Sequence, residues 1–136
     1  MKGPATILIV DDDVVLARAF ALALVRAGYR AHAVHSAEEA LRELNAAPPD
    51  AIVLDFRMPM INGVGFLYRL REQPIHRHIP VMVVTGESIL PDDVREELRV
   101  LGAEILQKPL GVDQLLASAR ALLGQLPVAE ARTHAP

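Results

Sequence analysis

Three short apolar runs and one mixed run in this sequence end in residues able to do chemistry on a phosphoryl group. Residues 7–10 (ILIV) lead into Asp11-Asp12-Asp13 and 51–54 (AIVL) into Asp55. Residues 81–84 (VMVV) lead into Thr85, and 104–107 (EILQ) into Lys108 followed by Pro109. Carboxylates gathered in one pocket repel each other and rise in pKa unless a cation balances them. A ligand set of oxygens, in a chain without cysteine, suits a hard cation, and Mg²⁺ suits a phosphoryl reaction best. A carboxylate can also attack phosphorus. Transfer then needs the charge on the equatorial oxygens neutralised by a metal, an ammonium and a hydroxyl. Asp11 with Asp12, Lys108 and Thr85 supply that set. Singly, each residue has a plainer use: Asp13 as the N-cap of a following helix, Asp55 as a turn residue, Thr85 as a strand-end β-branched residue, Lys108 as a solvated charge. Their joint occurrence at the ends of four separate strand candidates favours chemistry.

The elements that must bring them together follow from the apolar spacing. Thr6–Val10, Ala51–Leu54 and Val81–Val84 read as buried strands, with Arg30–Val34 and Glu104–Gln107 as weaker candidates. Between them, Leu16, Phe20, Ala23, Leu24 and Ala27 recur at helical steps, and Gly28 is placed to stop that helix. Ser36 with Glu39 is a capping-box signature for a helix that Pro48-Pro49 ends. Asn62 caps a third helix through Phe66, Leu67 and Leu70; Pro91–Leu101 and Val112–Leu123 read as the fourth and fifth. Alternating strands and helices imply a parallel sheet covered on both faces, an α/β doubly wound (βα)₅ fold. In such a sheet the carboxyl ends of the strands share one edge, where ligands bind. Residues nearly a hundred positions apart, Asp11 and Lys108, therefore converge.

Composition bounds the alternatives. At 136 residues there is room for one domain, expected over 1–125, with 126–136 a flexible tail. A net charge of −3 and the lack of any Lys/Arg run argue against direct nucleic-acid binding. The absence of cysteine excludes a disulfide framework and a thiolate nucleophile. The apolar run Ile7–Val10 is too short for a signal peptide or membrane span, so the cytoplasm is the expected compartment. His32 and His35, and His76 with His78, read as surface and loop groups.

The motifs ILIVDDD, DAIVLDFRMPMING, VMVVTGE and Lys108-Pro109 together resemble the receiver domains of two-component response regulators, over roughly residues 5–125. The resemblance implies a five-stranded parallel sheet in the order 2-1-3-4-5. It implies that Asp55 accepts a phosphoryl group from a sensor histidine kinase or phosphotransfer protein. Mg²⁺ would be held by Asp11, Asp12, Asp55 and the backbone carbonyl of Arg57. Thr85, Lys108 and the backbone N–H groups of Phe56 and Gly86 would contact the phosphoryl oxygens, and the Lys108-Pro109 bond would be cis. It further implies a signalling domain rather than an enzyme, a downstream effector protein or further domain, and dimerisation through helix 4, strand 5 and helix 5. Whether the chain acts alone or opens a longer regulator stays open. Ile105 departs from the pattern where a switch aromatic is common; Asn62 and Gly65 replace residues that are often acidic. Arg57 and Glu87, each two residues past a key position, can both overhang the site and pair.

Two rival readings rest on the same residues. Asp11-x-Asp13-Val14 also resembles the first motif of haloacid-dehalogenase-like phosphatases, with Asp11 as nucleophile, but Asp113 stands alone where an acidic pair would follow Lys108. A flavodoxin-like FMN site needs hydroxyls and glycines after strand one, where three aspartates would repel its phosphate.

Overall fold

The computed structural model describes residues 3–87 and 89–124; the expected tail, 126–136, lies outside the described residues. The strands are β1 (Thr6–Val10), β2 (Arg30–Val34), β3 (Ala51–Asp55), β4 (Val81–Thr85) and β5 (Ala103–Gln107). They alternate with α1 (Val14–Arg26), α2 (Ala37–Ala46), α3 (Gly63–Glu72), α4 (Asp92–Val100) and α5 (Val112–Leu123). All strand pairs are parallel and the order is β2-β1-β3-β4-β5, as expected.

Burial explains which strands were conspicuous in the sequence. β3 and β4 are buried at every residue because helices cover both faces, so they read as unbroken apolar runs. The edge strands β2 and β5 are only partly buried and expose Arg30, His32, Glu104 and Gln107. Side chains alternating across the sheet fill two cores. Leu8, Val10, Ile52, Leu54, Val81 and Val83 meet α2, α3 and α4 on one face. Ile7, Ile9, Val53, Met82 and Val84 meet α1 and α5 on the other. Cutting Ile52, which is 0% exposed, to alanine would cost about 2–5 kcal/mol.

The helix ends follow local chemistry. Asp13 caps α1 by accepting from the Leu16 N–H, Ser36 caps α2 through Glu39 N–H, and Asn62 caps α3 through Gly65 N–H. Glu39 reaches back to the His35 N–H, one residue before the cap, at 2.8 Å. Gly28 (φ +104°) and Gly102 (φ +83°) turn the chain after α1 and α4 in a backbone region that side chains disfavour. Helix α4 has Pro91 at its N-cap and no side-chain cap bond; Asp92 and Asp93 in its first turn favour the positive end of the helix dipole instead.

One loop differs from expectation. His78 is exposed, but His76 is buried to 3%, with neither ring nitrogen hydrogen-bonded among the described residues. The loop closes in tight turns, His76 N–H to Gln73 O and Ile79 N–H to His76 O, and these fold the ring inward.

Candidate functional site

The chain runs from β1 outward to β2, then back across to β3. That reversal opens a crevice between the carboxyl ends of β1 and β3. Asp11 follows β1 directly and Asp55 closes β3, so they flank it. A cleft of about 400 Å³ lies there, lined by Asp11, Asp12, Asp13, Asp55, Arg57, Gly86, Glu87 and Lys108.

Carboxylate oxygens of Asp11, Asp12 and Asp55 lie within 4.8 Å of one another. Asp11 and Asp55 are buried, at 4% and 6% exposure. Burial is the main reason the Asp55 carboxyl sits above its ordinary pKa; the hydrogen bond and charge of Lys108 pull it back without cancelling the rise. Burial also raises Asp11, helped by the charges of Asp55 and Asp12, against a 2.9 Å hydrogen bond from the Asp13 N–H. The Lys108 Nζ stands 2.8 Å from Asp55 Oδ1. Burial alone would lower the lysine, but the Asp55 bond and the charges of Asp55, Asp11 and Asp13 raise it. Crowded oxygen donors, two of the three on buried residues and together more negative than one ammonium can balance, fit a divalent hard cation.

The strand-end groups do not all face the cleft. Lys108 precedes Pro109 through a cis peptide bond, and its N–H donates to Thr85 O at 2.8 Å. Thr85 is buried to 3% and is not on the cleft wall; its Oγ1 accepts from the Glu87 N–H at 3.0 Å. Arg57 and Glu87 form an ion pair across the mouth. Gly86 lines the cleft, and its N–H makes no backbone bond among the described residues. Phe56 overturns an expectation: its N–H donates to Val84 O at 2.9 Å, because it extends the β3–β4 ladder, and so it does not face the site. Asp13 serves as both helix cap and cleft wall.

Two further residues stand near the site, one of them read from the sequence as a surface group. The His35 Nδ1 sits 3.1 Å from the Asp11 carbonyl oxygen, so this half-buried ring backs the acidic cluster rather than standing on the surface. Its only sequence signal is its place just after β2, the neighbour of β1. Gln107, the last residue of β5, donates from Nε2 to Glu87 O at 3.1 Å.

A parallel sheet in this order, with an acidic cluster at its switch point and a lysine from the last strand on one of the acids, defines the receiver class. The chain belongs to the response regulator receiver domain family, whose sequence profile matches residues 7–120. It is 35% identical over 120 residues to the response regulator MprA of Mycobacterium ulcerans, covering 86% of this chain and 49% of that protein. It is 35% identical over 117 residues to the transcriptional regulatory protein BasR of Escherichia coli, covering 86% and 51%. The chain thus spans about half the length of the curated relatives it matches. Among solved structures, a response regulator from Chloroflexus aurantiacus aligns with a TM-score of 0.81 at 31% identity, covering 90% of this chain and 99% of that one. The chemotaxis protein CheY4 of Vibrio cholerae aligns with a TM-score of 0.81 at 27% identity, covering 88% and 99%. Among the described residues, no helix is long and apolar enough to cross a membrane.

Proposed function

We propose that Asp55 accepts a phosphoryl group from the phosphohistidine of a sensor kinase or phosphotransfer protein and that the resulting acyl phosphate changes the output face. The observation that carries this reading is the Lys108–Asp55 contact of 2.8 Å inside the Asp11/Asp12/Asp55 cluster. An Asp55 oxygen forms the P–O bond as the donor's P–N bond breaks and the imidazole leaves. Lys108 meets the charge on the phosphoryl oxygens from the β5 side and the Gly86 N–H from the β4 side. The Thr85 hydroxyl joins them only after turning from its present place. Asp11, Asp12, Asp55 and the Arg57 carbonyl would hold Mg²⁺, which when bound neutralises charge on the transferring group.

Lys108 engages Asp55 rather than Asp11, which disfavours the phosphatase reading with Asp11 as nucleophile. On this proposal the domain occupies residues 1–125, acts in the cytoplasm as a switch rather than an enzyme, and pairs or signals through α4, β5 and α5. The test is incubation with acetyl phosphate followed by intact mass. One added phosphoryl is expected, lost in Asp55→Asn and in EDTA. Normal labelling in either would overturn the proposal.

A further inference from the structure

Glu87 is held by three groups at once. Its N–H donates to Thr85 Oγ1 at 3.0 Å, its carbonyl accepts from Gln107 Nε2 at 3.1 Å, and its carboxylate pairs with Arg57. The first link occupies the Thr85 hydroxyl oxygen, and the third places a carboxylate over the cleft. The second comes from the opposite side of the loop, out of β5. Gln107 is registered directly against Thr85 in the β4–β5 ladder. It stands two residues past Ile105, on the same face of β5 and one pleat nearer the site. Ile105 is packed into the apolar core against Val83's face of the sheet and has no polar group to move. Gln107 is exposed, so burial does not compel its amide to seek a backbone partner.

We propose that Gln107 is a positioning residue whose amide latches the Glu87 carbonyl, keeping the Thr85 hydroxyl on the Glu87 N–H and away from Asp55. The inference rests on the phosphoryl-acceptor reading above. A hydroxyl that turns toward a phosphoryl group leaves the Glu87 N–H unpartnered unless the loop follows it. The loop follows only by giving up the Gln107 bond. Opening the latch therefore joins the state of Asp55 to the end of β5, the strand in which Ile105 offers no relocating ring. A bond of this kind biases a two-state loop roughly two- to tenfold.

The test is a titration with beryllofluoride and Mg²⁺, a phosphoryl mimic, on wild type and on Gln107→Met, which keeps length and volume but has no N–H. Gln107→Met should bind the mimic about two- to tenfold more tightly, with Mg²⁺ affinity alone unchanged. The gain should vanish in a Thr85→Ala background, where no hydroxyl remains to be freed. In the unliganded protein, amide exchange of Glu87, whose N–H is held by Thr85 Oγ1, should rise in Gln107→Met. Unchanged or weaker binding, a gain that persists without the Thr85 hydroxyl, or unaltered exchange would overturn the latch. Failure of the wild type to bind the mimic would instead sink the acceptor reading, and the exchange measurement would still decide the latch.

Discussion

The Lys108 ammonium and the Asp55 carboxylate stand 2.8 Å apart, with the lysine side chain 30% exposed and the aspartate 6%. The pair is thus intermediate between a surface bridge and a buried one. Removing the lysine leaves a buried carboxylate beside Asp11 and Asp12. Lys108→Met should therefore cost ~1–3 kcal/mol near neutral pH. Urea unfolding of the metal-free protein measures this, and equal stability of variant and wild type would count against a balancing role.

The raised carboxyls of Asp11 and Asp55 make stability depend on pH. A carboxyl whose pKa rises on folding binds more protons folded than unfolded, so its contribution to stability falls as pH climbs from 3.8 through the raised value. In EDTA, Asp11→Asn removes a charge yet keeps an acceptor for the Asp13 N–H. It should raise stability on the order of 1 kcal/mol, or roughly 4 °C, near pH 7. Near pH 3.5 the gain should shrink toward zero. Thermal melts at the two pH values check this, and a gain independent of pH would refute it.

Arg57 and Glu87 pair over the cleft. Exposed pairs contribute only about 0–1 kcal/mol, so the expected effect is on rate, through shielding of the acyl phosphate from attacking water. Arg57→Ala and Glu87→Ala should each shorten the phosphoryl lifetime by a fewfold, and the double variant should be no worse than the faster single one. Loss of label followed by mass spectrometry decides, with simple additivity the contrary outcome.

Met60 has φ 75° and is fully exposed. Left-handed backbone costs an L residue roughly 1–2 kcal/mol, against an extra entropy cost of about 0.5–1 kcal/mol for glycine. Met60→Gly should accordingly stabilise by about 0.5–1 kcal/mol. A lower urea midpoint in the variant would mean that the methionine makes a compensating contact.

Helix α4 is anchored at one end. Arg71 Nε donates to Leu101 O at 2.8 Å and Tyr68 donates to Glu97 at 2.5 Å, whereas its N-terminal end has no side-chain cap. Beryllofluoride should change hydrogen exchange most across residues 85–101, and within that span most before Arg95. A change centred on Ile105, with the loop after β4 unaltered, would contradict this route.

The amino-acid sequence by itself determined the alternation of strands and helices, because buried strands and amphipathic helices write different apolar periods into the chain. It also placed Asp11, Asp12, Asp55, Thr85 and Lys108 at strand ends, and the caps at Asp13, Ser36 and Asn62 came from side chains acting on their own neighbourhood. What the tertiary structure decided were partnerships between distant segments. Phe56 donates to Val84, His35 backs Asp11, and Gln107 holds Glu87. Each depends on the register of two strands or on the path of a loop. Register is set by all the packing on both faces of the sheet, which no local period encodes. His76 shows the same limit: a histidine in a loop beside Arg77 and His78 reads as solvated, and only the turns that close its loop carry it inside.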